Sequence, residues 1–246
     1  ELGSEMRRVF IADEGNVLVD ADYSQIELRL LAHMAGDEAM IEAFRSGQDF
    51  HTVTAAKVFH VPEAEVTHQM RSRAKAVNFG IVYGMSSFSL SQDLQVTMAE
   101  AKSYKASYFA TYPGVKQYMT DIVAQGKAHG YVETLYHRRR ALPELKAPVF
   151  ARRAFGERVA MNMPIQGTAA DIMKLAMLRV HDRLRREGLK AKLIMQVHDE
   201  LIVECPEAER ETVETLLRQE MEQVAALSVP LIAEAHSGKN WLEAKG

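Results

Sequence analysis

The sequence has almost no cysteine, because Cys205 is the single one among 246 residues. A lone thiol excludes an intrachain disulfide and a cysteine-based zinc site. Long apolar runs are missing too: no stretch approaches the roughly 20 residues that span a bilayer, and the N-terminal residues lack the apolar stretch of a signal peptide. These absences predict a chain that works in a reducing, cytoplasmic compartment and without a membrane.

An overall excess of basic residues is also lacking. The 30 lysines and arginines are outnumbered by 33 aspartates and glutamates, so the net charge is -3. Taken alone, this argues mildly against nucleic acid, since phosphate-binding domains are usually basic. The charge is segregated, however. Arg71, Arg73 and Lys75 form one basic cluster, residues 138–158 form another, and residues 200–222 are acidic. Nucleic-acid binding therefore stays open.

What the sequence does contain is 47% hydrophobic residues, enough for one large core or two smaller ones. Strand patterns occur near both ends. Residues 16–24 alternate between apolar and polar side chains, residues 191–197 and 201–204 predict a hairpin, and residues 231–235 predict a last strand. We expect these segments to form one sheet from distant parts of the chain.

Helical patterns fill most of the space between the strands. The simplest architecture is an α+β domain with an inserted helical block. A short β excursion is expected around His137, and a long helix is expected to be interrupted near Pro164 and Gly167. The predicted helical segments are residues 26–35, 38–44, a series over 51–130 with breaks at Pro62, Gly84 and Pro113, residues 151–187, and residues 207–225.

Two aspartates stand where strands end. Asp22 follows the first predicted strand, and Asp199 lies at the tip of the predicted hairpin. Pairing of these strands would bring the two carboxylates together on rigid supports, as a metal site requires. Magnesium prefers oxygen ligands and is usually bound through one or two carboxylates plus substrate phosphates. The ordinary structural interpretation of either aspartate alone is a turn or cap residue.

One predicted helix carries a stripe of cations and aromatic rings. At helical spacing an apolar stripe lies on the opposite face and explains how the helix packs. The first stripe suits a triphosphate at its cationic end and a stacked base at its aromatic end. A solvated cationic face with incidental aromatics is the alternative. The first stripe consists of Arg71, Lys75, Phe79 and Tyr83, and the apolar stripe of Met70, Ala74, Val77 and Ile81.

These segments match motifs of a known family. Together with a fourth segment, and in this order, they resemble the family A DNA polymerases, the bacterial DNA polymerase I group, over essentially the whole chain. Each motif alone is moderately specific, and four in order make chance resemblance remote. The matching segments are Asp22-Tyr23-Ser24-Gln25-Ile26-Glu27-Leu28-Arg29, the run from Arg71 through Lys75, Asn78-Phe79-Gly80 and Tyr83-Gly84, the run from Asn162 through Gln166 to Asp171, and Val197-His198-Asp199-Glu200.

The resemblance implies an architecture. It predicts an antiparallel palm sheet with helices and an inserted helical fingers subdomain, with palm in residues 1–52, fingers in 53–155 and palm again in 156–246. The family's thumb and exonuclease domains are expected to be absent. Because a thumb holds duplex product, the chain alone is expected to bind primer-template weakly. A separate thumb-bearing polypeptide or a preceding part of the same protein would then complete it.

The resemblance also implies chemistry. Asp22 and Asp199 would bind two Mg²⁺ ions, with Mn²⁺ as an alternative, assisted by the backbone carbonyl of Tyr23. Arg71 and Lys75 would grip the triphosphate of the incoming dNTP, and Lys75 would donate a proton to the leaving pyrophosphate. The expected reaction is template-directed DNA synthesis in replication and repair: attack of a primer 3′-hydroxyl on the dNTP, with release of pyrophosphate.

Further positions match side chains that surround the nucleotide. His51 matches a histidine that contacts its phosphates, although a surface histidine at a helix start is the ordinary interpretation. Glu27 matches the side chain that crowds the sugar 2′ position and excludes ribonucleotides by clash. Phe79 would pack against sugar and base, and Tyr83 would stack at the templating position. The same motifs contain Asn78 and Glu200, and Gly80 and Gly84, which would allow close approach.

Other matched residues would touch DNA. Gln166 and His198 would contact minor-groove acceptors at the primer terminus that are common to all base pairs. Arg29 would support the carboxylates or the primer-template, or else act as a surface ion-pair partner. One departure stands out: His137 occupies a position where the family usually has glycine. Because other residues tolerate positive φ poorly, this turn is expected to be altered.

Two other functions remain as alternatives. A single-subunit RNA polymerase has related motifs, but Glu27 and the Asn78-Phe79-Gly80 segment argue against it, since such an enzyme must admit the 2′-hydroxyl. A catalytically weak primer-template-binding fragment belongs to another class, and intact Asp22 and Asp199 argue against it. The predicted partners are primer-template DNA and dNTP, and the predicted location is the cytoplasm, in association with the nucleoid.

Overall fold

The computed structural model describes residues 5–246. Over these residues the chain is α+β, with ten α-helices, a four-stranded antiparallel sheet and a two-stranded one. The strands are β1 (Asn16–Tyr23), β2 (Tyr131–Glu133), β3 (Arg139–Ala141), β4 (Lys192–Val197), β5 (Glu200–Pro206) and β6 (Ala233–Gly238). The helices are α1 (Ile26–Ala35), α2 (Glu38–Arg45), α3 (Phe50–Phe59), α4 (His68–Val82), α5 (Ser87–Leu94), α6 (Met98–Thr111), α7 (Pro113–His129), α8 (Phe150–Arg186), α9 (Arg210–Glu222) and α10 (Trp241–Ala244).

The chain divides into two compact units. The first comprises the described residues up to Ile26, residues 169–227 and residues 231–246, and it contains the larger sheet. The second comprises residues 27–168 and 228–230, and it is mainly helical. A helical segment inserted between parts of a sheet domain was predicted, and the α+β class is confirmed. The finer palm and fingers boundaries at 52/53 and 155/156 stay a prediction.

The sheet of the first unit has the order β4-β5-β1-β6, with every neighbouring pair antiparallel. Because side chains alternate along a strand, β1 has one wholly apolar face and one face that carries acids. Val17, Val19 and Ala21 on the first face are at most 4% exposed. On the other face, Leu18 packs with Trp241 of α10. Asp22 lies on this same face, near the end of the strand.

The second unit is built on helices with well-formed starts. Thr67, Ser86 and Thr97 cap α4, α5 and α6, each accepting a backbone N–H with its hydroxyl oxygen. The small sheet β2–β3 packs through Val132 against Ala160 of α8. The predicted breaks agree with the helix bounds, because Pro62 and Gly84 lie between helices and Pro113 is the first residue of α7.

Three local predictions are wrong. Helix α8 runs without interruption through Pro164, although a break was expected there. Proline removes one backbone donor, but the next residue, Ile165, is fully buried, so packing holds the helix despite the lost bond. The last strand spans Ala233–Gly238 instead of residues 231–235, and the helix predicted over 207–225 is α-helical only over Arg210–Glu222.

The turn at His137 keeps a left-handed residue. His137 has φ 61°, and its side chain is 81% exposed, so its Cβ meets no packed neighbour. The ring Nδ1 lies 3.1 Å from Glu133 Oε1. His137 therefore adopts a positive φ, and the turn is not altered at this angle. The left-handed conformation costs histidine about 1 kcal/mol of backbone strain. Across residues 5–246, no helix is both long and apolar enough to cross a membrane.

Candidate active site

Two strands of the first unit bring the predicted metal-binding aspartates together. The register of β1 against β5 pairs Asp22 with Glu200, and the Tyr23 backbone N–H donates to the Asp199 carbonyl at 3.1 Å. The predicted proximity of Asp22 and Asp199 is therefore confirmed. We name Asp22, Asp199 and Glu200 the carboxylate edge.

Asp199 is held by a tight turn. Only His198 and Asp199 separate β4 from β5, and His198 has φ 50°, a conformation that non-glycine residues adopt at a cost. The Gln196 side-chain amide donates to the His198 carbonyl at 2.7 Å and closes the turn. The strained residue directly before Asp199 is typical of a functional turn, because such strain persists only where the surroundings impose it.

The electrostatics of the carboxylate edge favour a cation. Burial raises the pKa of Asp199, and the charge of Asp22 raises it further. Asp22 Oδ1 is buried without a hydrogen-bond partner, while its Oδ2 accepts from Lys245 Nζ at 2.8 Å. Glu200 is 4% exposed and also pairs with Lys245. Closely spaced carboxylates and an unpartnered oxygen fit a divalent ion, which removes the repulsion that burial strengthens.

The described residues contain no cluster of three or more acidic, histidine or cysteine side chains able to enclose a metal by themselves. This agrees with magnesium chemistry, in which substrate phosphates and water complete the shell around one or two carboxylates. Tyr23 fits a supporting part: its hydroxyl donates to the Met221 carbonyl at 2.6 Å, which anchors the backbone beside Asp22. The residues that could hold a metal are therefore Asp22, Asp199 and the Tyr23 carbonyl.

The predicted helix of the second unit is α4, and its two faces differ as expected. On the apolar face Ala74, Val77 and Ile81 are at most 2% exposed. On the other face Lys75 and Tyr83 are exposed. We name Arg71, Lys75, Phe79 and Tyr83 the cationic stripe. Phe79 and Tyr83 lie with ring centroids 6.3 Å apart and nearly parallel planes. The side chain of Lys75 is thus open to solvent on this face.

Arg71 already has an anionic partner. Its Nε lies 2.5 Å from Asp49 Oδ2, and Asp49 caps α3 by accepting from the His51 backbone N–H. Burial would raise the pKa of Asp49, but hydrogen bonds from Arg71 and Thr52 outweigh it and lower the pKa to about 2. The aspartate is thus firmly ionised, and it holds the guanidinium in one orientation.

His51 is buried, so the ordinary interpretation of a surface histidine is wrong. It is 3% exposed, and burial lowers its pKa to about 4. The Asn78 side-chain amide donates to His51 Nδ1 at 2.9 Å, which leaves the proton of the neutral ring on Nε2. Asn78, fully buried, thereby connects α4 to α3 and fixes the histidine ring.

Glu27 and Tyr83 are joined directly. The Tyr83 hydroxyl donates to Glu27 Oε2 at 2.9 Å, so the residue predicted to crowd the sugar is held by the residue predicted to stack on the template. Gly84 has φ 63°, and a Cβ there would stand 2.6 Å from the Met161 methyl group. Only glycine fits this close approach after α4. At Gly80 a Cβ would press on Met85 and Leu90 at 3.2 and 3.3 Å.

The residues predicted to contact DNA differ in exposure. Gln166 on α8 and His198 are exposed. Arg29 is only 8% exposed, donates to the Pro230 carbonyl at 2.8 Å, and lies 4.7 Å above the Phe44 ring. The interpretation of Arg29 as a surface ion-pair partner is therefore wrong, and its DNA contact stays a prediction.

Sequence reasoning missed two contributors. Asp49 directly precedes helix α3, and its capping position was a usable signal that went unused. Lys245 reaches Asp22 and Glu200 from the far end of the chain, and nothing in local sequence indicates that contact. Both supply charges opposite to those of the predicted residues that they touch.

Comparison with known proteins agrees with these features. A family model described as DNA polymerase family A matches residues 1–243. The DNA polymerase I of Geobacillus stearothermophilus is 53% identical over 246 residues, which are 100% of this chain and 28% of that protein. The DNA polymerase I of Caldicellulosiruptor bescii is 49% identical over 243 residues, which are 99% of this chain and 29% of that protein. The chain thus spans less than a third of the length of these relatives.

A solved structure is also similar. It is described as the POL domain of Pol1 from M. smegmatis in complex with DNA primer-template and dNTP, and it matches with a TM-score of 0.95 and 42% identity. The match covers 100% of this chain and 44% of that one. The similarity therefore concerns a polymerase domain and not only an isolated motif.

Proposed function

The chain belongs to DNA polymerase family A, and we propose that it carries the catalytic palm and fingers of a template-directed DNA polymerase. In the proposed reaction a primer 3′-hydroxyl attacks the α-phosphorus of a dNTP, and pyrophosphate leaves. The substrates are primer-template DNA and dNTP, in replication and repair. The observation that carries the proposal is the proximity of Asp22 and Asp199 on adjoining rigid supports: Asp22 pairs in register with Glu200, and the neighbouring Tyr23 N–H donates to the Asp199 carbonyl.

The carboxylate edge is proposed to bind two divalent ions, Mg²⁺ or alternatively Mn²⁺. When bound, they would supply activation of the 3′-hydroxyl and stabilisation of the charge on the leaving oxygens. Asp22 and Asp199 bind, and the carbonyl of Tyr23 assists. The raised pKa of Asp199 supports this assignment, because partial burial and then the charge of Asp22 disfavour its ionised form, and a shared cation would offset both.

The cationic stripe is proposed to bind the nucleotide. Arg71 and Lys75 grip the triphosphate, and Lys75 gives a proton to the departing pyrophosphate. His51, neutral and with a proton on Nε2, donates a hydrogen bond to a phosphate oxygen and adds no charge. The exposure of Lys75 and the fixed ring of His51 support these roles. Phe79 packs on the sugar and base.

Glu27 and Tyr83 are proposed to select the nucleotide. Glu27 crowds the sugar 2′ position, so a ribonucleotide is rejected by clash. The hydrogen bond from Tyr83 holds the carboxylate in one orientation, which supports selection by shape. Tyr83 stacks at the templating position, and Gly84 gives the chain after α4 the left-handed turn that it needs there.

The DNA contacts are proposed by family resemblance. Gln166 and His198 meet the primer-terminal pair, and their exposure supports this. Arg29 is proposed to support the DNA contacts indirectly, through the Pro230 backbone carbonyl to which it donates. A cytoplasmic, nucleoid-associated location follows from a DNA substrate. The palm is assigned to residues 1–52 and 156–246 and the fingers to residues 53–155.

The test is single-nucleotide extension of a labelled primer-template with Mg²⁺ by the full chain. We expect extension with dNTP and not with rNTP, and loss of extension in Asp199→Ala. Glu27→Ala should admit rNTP and reduce the discrimination by roughly 10–100-fold, since clash is its mechanism. Asp182→Asn, which alters an exposed carboxylate on α8, is the matched control for loss of charge.

Each outcome separates the alternatives. Extension with rNTP as fast as with dNTP would favour an RNA polymerase. Extension that appears only after addition of a thumb-bearing polymerase fragment would mean that this chain needs that partner. Primer-template binding without extension under either condition would leave the weak binding fragment and contradict the proposal.

A further inference from the structure

A short C-terminal helix carries a lysine to the carboxylate edge. Helix α10 is fixed at its start by Asn240, whose side-chain oxygen accepts from the Glu243 backbone N–H at 3.0 Å. Trp241 is 9% exposed, and its indole Nε1 donates to Asp20 Oδ2 at 3.1 Å. The Phe10 ring packs edge-on against the indole at 5.4 Å. Lys245 follows directly as the C-cap of this anchored helix.

The ammonium group of Lys245 bridges two carboxylates. Nζ lies 2.8 Å from Asp22 Oδ2 and also contacts Glu200 Oε2. The three side chains differ in exposure: that of Glu200 is 5% exposed, that of Lys245 27%, and that of Asp22 38%. The lysine is thus half-buried, with its charge directed at the carboxylate predicted to bind metal.

Lys245 and Arg7 both act on this part of the sheet, and they leave some of its carboxylate oxygens without a partner. Asp20, Asp22 and Glu200 project from the same face, because Asp20 and Asp22 are two residues apart and Asp22 lies opposite Glu200. Asp20 Oδ1 and Asp22 Oδ1 are both buried without a hydrogen-bond partner. A small pocket lined by Asp20, Asp22, His236 and Lys245 opens beside them. The unpartnered oxygens mark unsatisfied demand for a cation.

We propose that Lys245 is a tethered counter-ion. Its ammonium group pairs with the Asp22 carboxylate when no metal is bound, and a divalent ion displaces it from that carboxylate. The inference rests on the proposed metal role of Asp22 and Asp199. Glu200 keeps the lysine near the site after displacement, since its buried carboxylate needs a cation. Lys245 therefore lowers the affinity for divalent ions and raises the metal concentration that the protein needs.

The competing explanation is that Lys245 only stabilises the fold. The two explanations differ in sign. A purely structural lysine would leave metal binding unchanged or weaken it when removed, because the site would lose its shape. If Lys245 competes with the metal, its removal should strengthen metal binding, because the ion no longer has to displace an ammonium group from the carboxylates.

The test measures Mn²⁺ binding to the full chain without DNA or nucleotide, by the electron paramagnetic resonance signal of free Mn²⁺. Lys245→Gln should bind Mn²⁺ at least about tenfold more tightly than the wild type, given the strength of charge interactions at 3–4 Å. Lys245→Arg should stay within about threefold of the wild type, because it keeps the charge. Lys239→Gln removes an equally charged lysine that pairs with Glu207 and should change nothing.

Folding is checked in the same samples. Removal of Lys245 leaves the buried Glu200 carboxylate unpaired, so Lys245→Gln should melt below the wild type without metal. Mn²⁺ should raise the melting temperature of Lys245→Gln more than that of the wild type. If Lys245→Gln does not fold, Lys245→Gln with Glu200→Gln removes the unpaired charge, and this double variant should bind Mn²⁺ more tightly than Glu200→Gln alone.

The outcomes separate the two claims. The metal site would stand if the wild type binds Mn²⁺ and Asp199→Asn abolishes this binding. If, in that case, neither Lys245→Gln nor its double variant with Glu200→Gln binds Mn²⁺ more tightly, the counter-ion role is overturned. Binding that weakens when Lys245 is removed would overturn it too. No Asp199-dependent Mn²⁺ binding by any variant would overturn the proposed metal site, and the counter-ion role with it.

Discussion

The carboxylate edge and the cationic stripe are built on opposite principles. The edge concentrates negative charge in a partly buried place, on a strand end and a two-residue turn, where burial and Asp22 raise the pKa of Asp199. The stripe lies along one face of α4, where Lys75 is exposed and Arg71 is neutralised by Asp49. Each region has an internal partner, Lys245 at the edge and Asp49 at the stripe, but the edge also keeps a buried carboxylate oxygen, Asp22 Oδ1, without a hydrogen bond.

This difference predicts that mutations in the two regions affect folding stability and ligand binding in different ways. Like charges held together by strands and a strained turn oppose folding, so their removal should not weaken the fold. Cations on a helix surface contribute little to stability, so their removal should change ligand binding alone. The predictions below test that contrast.

The largest effect is expected at the carboxylate edge. Asp199→Asn should reduce primer extension by at least about 10³-fold, because a neutral amide is a poor ligand for Mg²⁺. The raised pKa of Asp199 means that its ionised form opposes folding at neutral pH. The variant should therefore gain stability at neutral pH. Urea unfolding at pH 8 measures the gain, and a clear loss of stability would contradict the contrast.

A smaller effect is expected on the cationic stripe. Lys75→Ala should raise the dissociation constant for dNTP by roughly 10–100-fold, since it removes a charge-assisted contact to phosphate. The matched variant is Arg73→Ala, which removes a cation from the same helix but off the stripe. It should change dNTP binding by less than about threefold, because a charge off the stripe makes no direct contact with phosphate. Equal effects of both variants in a nucleotide-binding titration would show that general charge, not the stripe, holds the nucleotide.

His51 provides a pH-dependent test beside the stripe. Its folded-state pKa is about 4, below the ordinary 6.5, so between these values the unfolded chain takes up a proton and the folded chain does not. Stability should therefore fall as the pH drops from 6.5 to 4. In His51→Gln the loss between pH 7 and 4.5 should be smaller by about 2 kcal/mol. Parallel losses in both proteins by urea unfolding would contradict the buried, neutral histidine.

The smallest effect is expected from the internal partner of Arg71. Asp49→Asn keeps a capping oxygen for α3 but removes the negative charge at 2.5 Å from Arg71. The variant should bind dNTP about 2–5-fold more tightly, because Arg71 no longer has to leave an anion. Weaker binding would mean that Asp49 orients Arg71 more than it competes for it.

Periodicity and motif order predicted much of this molecule. The alternation in residues 16–24 and the hairpin around Asp199 correspond to β1, β4 and β5, and antiparallel pairing then brings Asp22 and Asp199 together. Helical spacing alone separated the two faces of α4 correctly. Both inferences hold because side-chain direction follows from backbone period.

The remaining features depend on contacts between distant residues. Helix α8 continues through Pro164 because burial of Ile165 outweighs one lost backbone bond, and local helix propensity does not report burial. Burial of His51 depends on tertiary packing, and its bond to Asn78 spans 27 positions. Lys245 reaches Asp22 across 223 positions, so no local pattern predicted its charge at the site.

We propose that the carboxylate edge performs the chemistry and that the cationic stripe binds the nucleotide. Single-turnover incorporation measured over a range of dNTP concentrations tests it most directly, on the wild type, Asp199→Asn and Lys75→Ala. We expect saturating dNTP to restore at least about a tenth of the wild-type rate in Lys75→Ala. The remaining loss of rate reflects the missing proton donor. Saturating dNTP should not restore the rate of Asp199→Asn. A near wild-type maximal rate in Asp199→Asn would contradict the account.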